Sequence, residues 1–569
     1  MRSRLFLAFA VLSLTGCATT TVLPPPAASP VGLESGMISA ADPRAAAAGV
    51  EMLRQGGTAA DAALATMVAL TVVEPQSSGI GGGSFMVTDD GRGHVQSYDS
   101  REAAPHAASG DWFFVNEQPL TVPQAIPGGR SVGVPGNMRQ MALVHRDHGR
   151  LAWAALFQPA IRLARDGFHI TPRLFQSLGT YRETGALSAE ARALYYQPDG
   201  SPKPVGTLIR NPALAAFLKS VAARGPEAFY HGDNAGRIVA AVTTAPRNPA
   251  PMAAGDLATY DAKERIPVCG TYRTYRICGM GPPSSGATTV FATLKMLERF
   301  DLSRLGPDNV TSWHLIAESM RLAYADRDKY LADSDYVHVP VAGLIDAGYL
   351  SQRAQLIAPD RTMTSVAAGN PHGAPVAADR PLQPVEHGTS HFVAVDRAGN
   401  IATITSTIES PFGSGLMVNG YYLNNELTDF SLVPQMNGTP VANRVEGGKR
   451  PRSSMAPTIV YAADGRPRLA VGAAGGATIP AQVLKAIIGV IDWRLSAQQA
   501  IALPVLFSPG DTVFVERGSS MEAMVPQLEA LGHKVQVRDP SFKANAIEWV
   551  NGRLVGAADP RSEGVAISE

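Results

Sequence analysis

Residues 391–405 read HFVAV-DRAGN-IATIT, two strand-like runs on either side of a turn-forming pentapeptide. β-Branched and aromatic residues favour a pleated strand, and Gly399 and Asn400 stand where a tight turn wants them, so the segment predicts a β-hairpin. A hairpin fixes its own register. With the turn centred on Ala398, Val395 opposes Ile401, and the same pairing carried backward sets Thr389 opposite Thr407. Directly opposed residues have Cβ atoms roughly 4.5–5.5 Å apart, which puts the two hydroxyls within hydrogen-bond reach.

What precedes the hairpin is its opposite in character. Residues 365–388, SVAAGNPHGAPVAADRPLQPVEHG, are rich in Pro, Ala and Gly and lack periodicity. So long a structureless stretch inside a domain is unusual unless it is functional or freed by cutting. A threonine is a weak nucleophile without an adjacent base. If the Gly388–Thr389 bond opens, Thr389 gains an α-amine of pKa roughly 7.7–8.0, so the base comes with the residue. Gly388 would offer an unhindered carbonyl. The plain alternative is a surface hairpin that begins with polar residues.

The chain has 569 residues, 45% of them hydrophobic and 17% charged, which suits a large globular unit with an interrupted middle. Lys plus Arg and Asp plus Glu number 49 each, so no charge excess argues for nucleic acid. Arg2 and Arg4 precede the apolar run LFLAFAVLSL, too short to span a membrane permanently and expected to be a signal over residues 1–16. It ends in LTGC, which resembles a bacterial lipoprotein signal with Cys17 as the lipidated residue; an ordinary secretory signal with a chance cysteine is the alternative. Residues 17–33 then read as a flexible Thr/Pro/Ala tether. Cys269 and Cys278 flank GTYRTYRI, a strand pair or one strand and its approach, and an oxidising compartment would permit a disulfide. His145 and His148 have no third ligand nearby and read as a solvated helix end rather than a metal site.

Residues 36–75 predict two Ala-rich helices broken at Gly56–Gly57. The following cluster SSGIGGGSFMV lacks the Lys-Ser/Thr ending of a phosphate loop, so close approach of backbones is the better reading. ALFQPAIRLARDGFHIT and SWHLIAESMRLAYADRDKYLAD read as core helices.

The motifs GGTAADAALA, VVEPQSSGIGGGSFM, DSREAAP, VGVPG, PPSSGATT, GTSHFVAVD, NNELTDFS, KRPRSSMAPTIV and GAAGGATI occur in the order of the γ-glutamyltransferase (glutathione hydrolase) family of N-terminal nucleophile hydrolases, which the chain resembles from about Gly36 onward. The resemblance implies an α/β fold, a four-layer αββα sandwich, made as a precursor and split into a large chain, 34–388 with a disordered tail at about 365–388, and a small catalytic chain, 389–569. It implies Thr389 as nucleophile, Thr407 as its support, and Gly475 and Gly476 as the oxyanion hole. It further implies Arg101, Ser453 and Ser454 on the donor's α-carboxylate, and Glu409, Glu426 and Asp429 on its α-ammonium.

No cofactor or metal is called for. Expected partners are γ-glutamyl donors such as glutathione, with water, amino acids or peptides as acceptors, and the expected place is the bacterial periplasm, held to a membrane through Cys17. Other members have Asn and Gln where this chain has Glu409 and Glu426, which adds negative charge. Ala477-Thr478 replaces a usual Ser-Arg, and residues 431–452 contain no aromatic residue, so a partial lid or none is expected. The rivals are an acylase for glutaryl or cephalosporin-type side chains, which lack the α-ammonium, and a surface lipoprotein without activity.

Overall fold

The computed structural model describes residues 32–378, 388–539 and 543–569. The expected signal, Cys17 and most of the tether lie outside the described residues.

The hairpin forms in the expected register. Strands Ser390–Val395 and Ile401–Thr407 pair antiparallel, with Val395 opposite Ile401 and Ser390 opposite Ser406. Asp396 closes the turn by accepting the N–H groups of Ala398 at 2.9 Å and Asn400 at 3.0 Å. Its other oxygen accepts Ala59 N–H at 3.0 Å, which pins the turn to the start of helix Ala59–Val73.

Among the described residues this hairpin is central to a seven-stranded sheet, ordered Val565–Ser568, Met37–Ala40, Ser390–Val395, Ile401–Thr407, Gly83–Asp89, Val95–Asp99, Lys263–Arg265. A six-stranded sheet lies against it, ordered Arg553–Ala558, Lys543–Val550, Pro467–Ala474, Thr458–Tyr461, Tyr275–Gly279, Val268–Tyr272. The sheets touch closely: a Cβ at Gly472 would fall 2.3 Å from the His391 ring. Helices Pro43–Arg54 and Ala59–Val73 cover the first sheet, and Gly286–Leu297 and Ile479–Ile491 cover the second, giving the αββα order.

The hairpin strands are buried on both faces. Phe392, Ala394 and Ile404 join the core under the first helical layer, and Val393, Val395 and Ile401 join the core shared with the second sheet. Full burial of such a side chain is worth roughly 1.5–3 kcal/mol, so a one-residue slip of register would exchange two well-filled cores at once. Helix Ala59–Val73 is buried along its whole length, so its small side chains serve close packing rather than an amphipathic face.

The glycine cluster serves close approach, as expected: a Cβ at Gly82 would lie 1.9 Å from the Thr407 carbonyl oxygen. GTYRTYRI is a strand pair, with Cys269 directly opposite Cys278 and the two disulfide-bonded. Two readings need correction. His145 and His148 do end a helix, Asn137–His148, but they are half-buried and bonded to Leu151 O at 2.8 Å and Tyr98 OH at 2.7 Å, not solvated. Residues 365–378, expected to begin a disordered tail, have no helix or strand but are tied down, with Gly369 N–H donating to Asp326 at 2.7 Å and Tyr330 OH donating to Gly369 O at 2.7 Å. Residues 379–387 lie outside the described residues.

Candidate active site

Thr389 stands immediately before the first hairpin strand, buried, with φ of 81°. That region is strained for a β-branched residue, at a cost of about 1–3 kcal/mol. Its Oγ1 donates to Thr407 Oγ1 at 2.9 Å, the contact that the hairpin register requires. Thr407 Oγ1 also accepts Glu409 N–H at 2.7 Å, and Thr389 N–H donates to Ser77 O at 2.9 Å. Only glycine fits before it, since a Cβ at Gly388 would lie 1.7 Å from Glu409 O.

Glu409 leads to the second group. Its carboxylate accepts from Asn425 Nδ2, and burial, reinforced by Asp429 and Glu426, pushes its pKa well above the usual carboxylate range. Arg101, fully buried, bonds Glu426 through Nη1 and Asp429 through Nη2. Its Nε and Nη2 also donate to the carbonyls of Pro451 and Arg452, each at 3.1 Å, immediately before the Ser453–Ser454 pair. Glu102, beside Arg101 in the chain, is buried, with its carboxyl hydrogen-bonded to that of Glu426. Burial raises it to about 7 against the pull of Arg101. Burial likewise raises Glu426, opposed by Arg101 and aided by Glu102. Glu102, Glu426 and Asp429 thus surround one guanidinium, and Glu409 adds a fourth carboxyl beside Glu426 and Asp429, an excess of acid that a cationic ligand group would relieve.

The serine pair is positioned from the motif PPSSGATT. Ser285 donates to Ser453 O through N–H at 2.8 Å and through Oγ at 2.6 Å, while Ser454 Oγ accepts from Arg327 Nη2 at 2.6 Å. Gly475 and Gly476, with φ of 124° and 55°, make the turn from strand Pro467–Ala474 into helix Ile479–Ile491, where backbone N–H groups have no intrahelical acceptor. This turn lies at the Thr389 end of the sandwich. Ala474 pairs with Lys543, whose Nζ donates to Ser390 Oγ at 3.3 Å.

A gamma-glutamyltranspeptidase family model matches residues 45–568. The chain belongs to that family. A glutathione hydrolase proenzyme of Bacillus subtilis (strain 168) is 35% identical to this transpeptidase-family chain over 548 residues, covering 94% of it and 91% of the relative. The solved cephalosporin acylase from Bacillus halodurans superposes with a TM-score of 0.82 at 26% identity, covering 96% of this chain and 98% of that one. A solved Helicobacter pylori gamma-glutamyltranspeptidase chain gives a TM-score of 0.55 at 34% identity, covering 57% of this chain and 91% of its own. The fold is thus of the N-terminal nucleophile hydrolase type.

The structure brings Thr389, Thr407 and Glu409 into one hydrogen-bonded run and Arg101, Glu426 and Asp429 into one ion-paired group. It differs from the expected clamp in one respect. Arg101 and the carboxylates were expected at opposite ends of a donor, and here they are bonded to each other, because a fully buried guanidinium needs a counter-charge nearby. Glu102, Asn425 and Arg327 were missed. Glu102 was visible inside DSREAAP, and Asn425 inside NNELTDF; nothing in the sequence marked Arg327, which arrives from helix Val310–Tyr330.

Proposed function

We propose that this chain is a precursor that cuts itself between Gly388 and Thr389 and then acts as a γ-glutamyl hydrolase and transferase on glutathione and related compounds. In maturation Thr389 Oγ1 attacks the Gly388 carbonyl, the C–N bond breaks, and the hydroxyl proton passes to the nitrogen. Water then hydrolyses the resulting ester, leaving a Gly388 carboxylate and a free Thr389 amine and hydroxyl. The strain at Thr389 favours this opening, and the H. pylori chain that aligns with only part of this one accords with a two-chain product.

In turnover the Thr389 amine takes the hydroxyl proton as Oγ1 attacks the donor's γ-carbonyl. The N–H groups of Gly475 and Gly476 hold the oxyanion, and the proton goes on to the leaving amine. Water, an amino acid or a peptide resolves the γ-glutamyl ester.

The observation that carries the γ-glutamyl reading is the buried group of four carboxyls, three around Arg101 and Glu409 beside them. A donor's α-ammonium supplies the missing positive charge, and its α-carboxylate suits Arg101 and the Ser453–Ser454 turn. Accepting a donor then means exchanging the Arg101 contacts to Glu426 and Asp429 for contacts to the donor's two charges.

Glutaryl or cephalosporin-type acylase action is the second reading, favoured by the superposition on a cephalosporin acylase. An acyl group without an ammonium leaves the carboxyls uncompensated. Incubating purified protein with γ-glutamyl and glutaryl p-nitroanilides and identifying the products separates the two. Absence of turnover and of cleavage would favour the inactive surface-lipoprotein reading instead.

Lipidation at Cys17 and residence in the periplasm belong to the same proposal. The LTGC ending supports them, as does the Cys269–Cys278 disulfide, which suits an oxidising compartment.

A further inference from the structure

A buried ion pair lies against the nucleophile and takes no part in the chemistry above. Glu74 caps the end of helix Ala59–Val73, and Lys543 opens strand Lys543–Val550; their side chains are 3% and 1% exposed. Lys543 Nζ donates to both Glu74 oxygens, at 3.0 and 2.8 Å, to Ser77 Oγ at 3.0 Å and to Ser390 Oγ at 3.3 Å. Ser390 Oγ in turn donates to Glu74 Oε2 at 2.5 Å and accepts from Ser78 Oγ at 3.0 Å. Stability alone is a poor reason for such a pair, since apolar replacements of buried ion pairs are often neutral or stabilising.

What the pair holds is more telling. Ser77 and Ser390 flank the nitrogen of Thr389: one contributes the carbonyl that accepts its N–H at 2.9 Å, and the other is the next residue in the chain. The same Ser77 carbonyl accepts Ile408 N–H at 3.3 Å, so a single oxygen ties Thr389 to the residue that follows Thr407.

We propose that Glu74 and Lys543 are positioning residues for the nucleophile: they hold the Ser77 carbonyl on the α-nitrogen of Thr389, and their balanced charges set the field in which that amine titrates once free. This rests on the reading of Thr389 as an N-terminal nucleophile. Other charges face the same region. Arg173 Nε lies 3.9 Å from Glu74, Asp42 acts on Lys543 while paired with Arg44, and Glu409 lies beyond Thr407. His391 on the same strand is bonded to Thr405 at 2.9 Å and is held neutral by burial. Burial also brings the Lys543 ammonium down to about 8 against the pull of Glu74, so the pair's charge balance is sensitive to either partner.

The test is the acid limb of kcat/KM against pH for γ-glutamyl-p-nitroanilide, measured on the matured enzyme and its Glu74→Gln, Lys543→Met and Lys543→Arg variants. Glu74→Gln takes the negative charge away and, wherever Lys543 keeps its proton, leaves a positive one that disfavours the ammonium form of Thr389, so the limb should move down, by up to about one pH unit. Lys543→Met leaves a negative charge and should move it up by about as much, while Lys543→Arg should stay near wild type. Opposite shifts are the signature, because a packing defect lowers activity without moving the two limbs apart. If Lys543→Met does not fold, the near-isosteric Glu74→Gln and the charge-preserving Lys543→Arg still decide: the first must shift and the second must not. Limbs that superimpose on wild type, or that move in the same direction, overturn the proposal alone. A wild-type protein that never cuts itself overturns the parent reading and this one with it.

Discussion

Asp429→Asn is the substitution that best separates glutamyl from plain acyl chemistry. Asn fills nearly the same volume, and Arg101 keeps its contacts to Glu426 and to the Pro451 and Arg452 carbonyls, so the group should stay assembled. Arg101→Ala would be a poorer probe. It would strip the guanidinium from its buried carboxyl partners, and breaking a buried pair costs about 3–5 kcal/mol in stability. For a donor with an α-ammonium, Asp429→Asn loses a charge-assisted contact worth roughly 1.5–3 kcal/mol. That corresponds to about ten- to a hundredfold in kcat/KM. A glutaryl donor has no ammonium, so it should be unaffected or helped by a less negative pocket. The assay is kcat/KM for γ-glutamyl and glutaryl p-nitroanilides in both proteins, with thermal unfolding as a control for folding. Equal losses on the two substrates, or γ-glutamyl turnover left intact, would refute the reasoning.

Thr389→Ala should remain a single chain on a denaturing gel and turn over nothing, while the wild type separates into two chains, the smaller beginning Thr-Ser-His-Phe; intact wild type with full activity would sink the mechanism. Glu102, raised by burial to about 7 from an ordinary value of 4.5, is held protonated by the fold. Its contribution to stability is therefore complete below about pH 4.5 and lost as pH rises through about 7, so the melting temperature of the ligand-free protein should fall across that window and Glu102→Gln should flatten the fall. Cys17→Ser should abolish metabolic lipid labelling and release the protein in soluble form; an unchanged membrane fraction would show that the anchor is misread.

The hairpin was legible because everything that fixes it is local. Alternation and a five-residue turn of suitable chemistry centred on Ala398 suffice to oppose Thr389 and Thr407, and the observed register differs by no residue. The glycine cluster was half legible. Its composition said that something approaches closely, but only the three-dimensional arrangement says that this is the carbonyl of Thr407. The tied-down stretch at 365–378 was illegible for the converse reason: its anchors, Asp326 and Tyr330, lie on a distant helix, and nothing within the stretch signals them.

The acid-rich group shows where residue-by-residue transfer from a family stops short. Each role was readable as a contact to a donor, but not as a contact between the residues themselves, and Arg101 pairs with the carboxyls expected at the donor's other end. The pairing has a consequence for specificity. A ligand carrying only a carboxylate must pull Arg101 from its partners and leave them buried without their counter-charge, whereas a zwitterion replaces both sides of the ion pair at once. On the proposed function, the Arg101 group would favour γ-glutamyl over glutaryl compounds by what the wrong ligand costs it as much as by what it offers the right one.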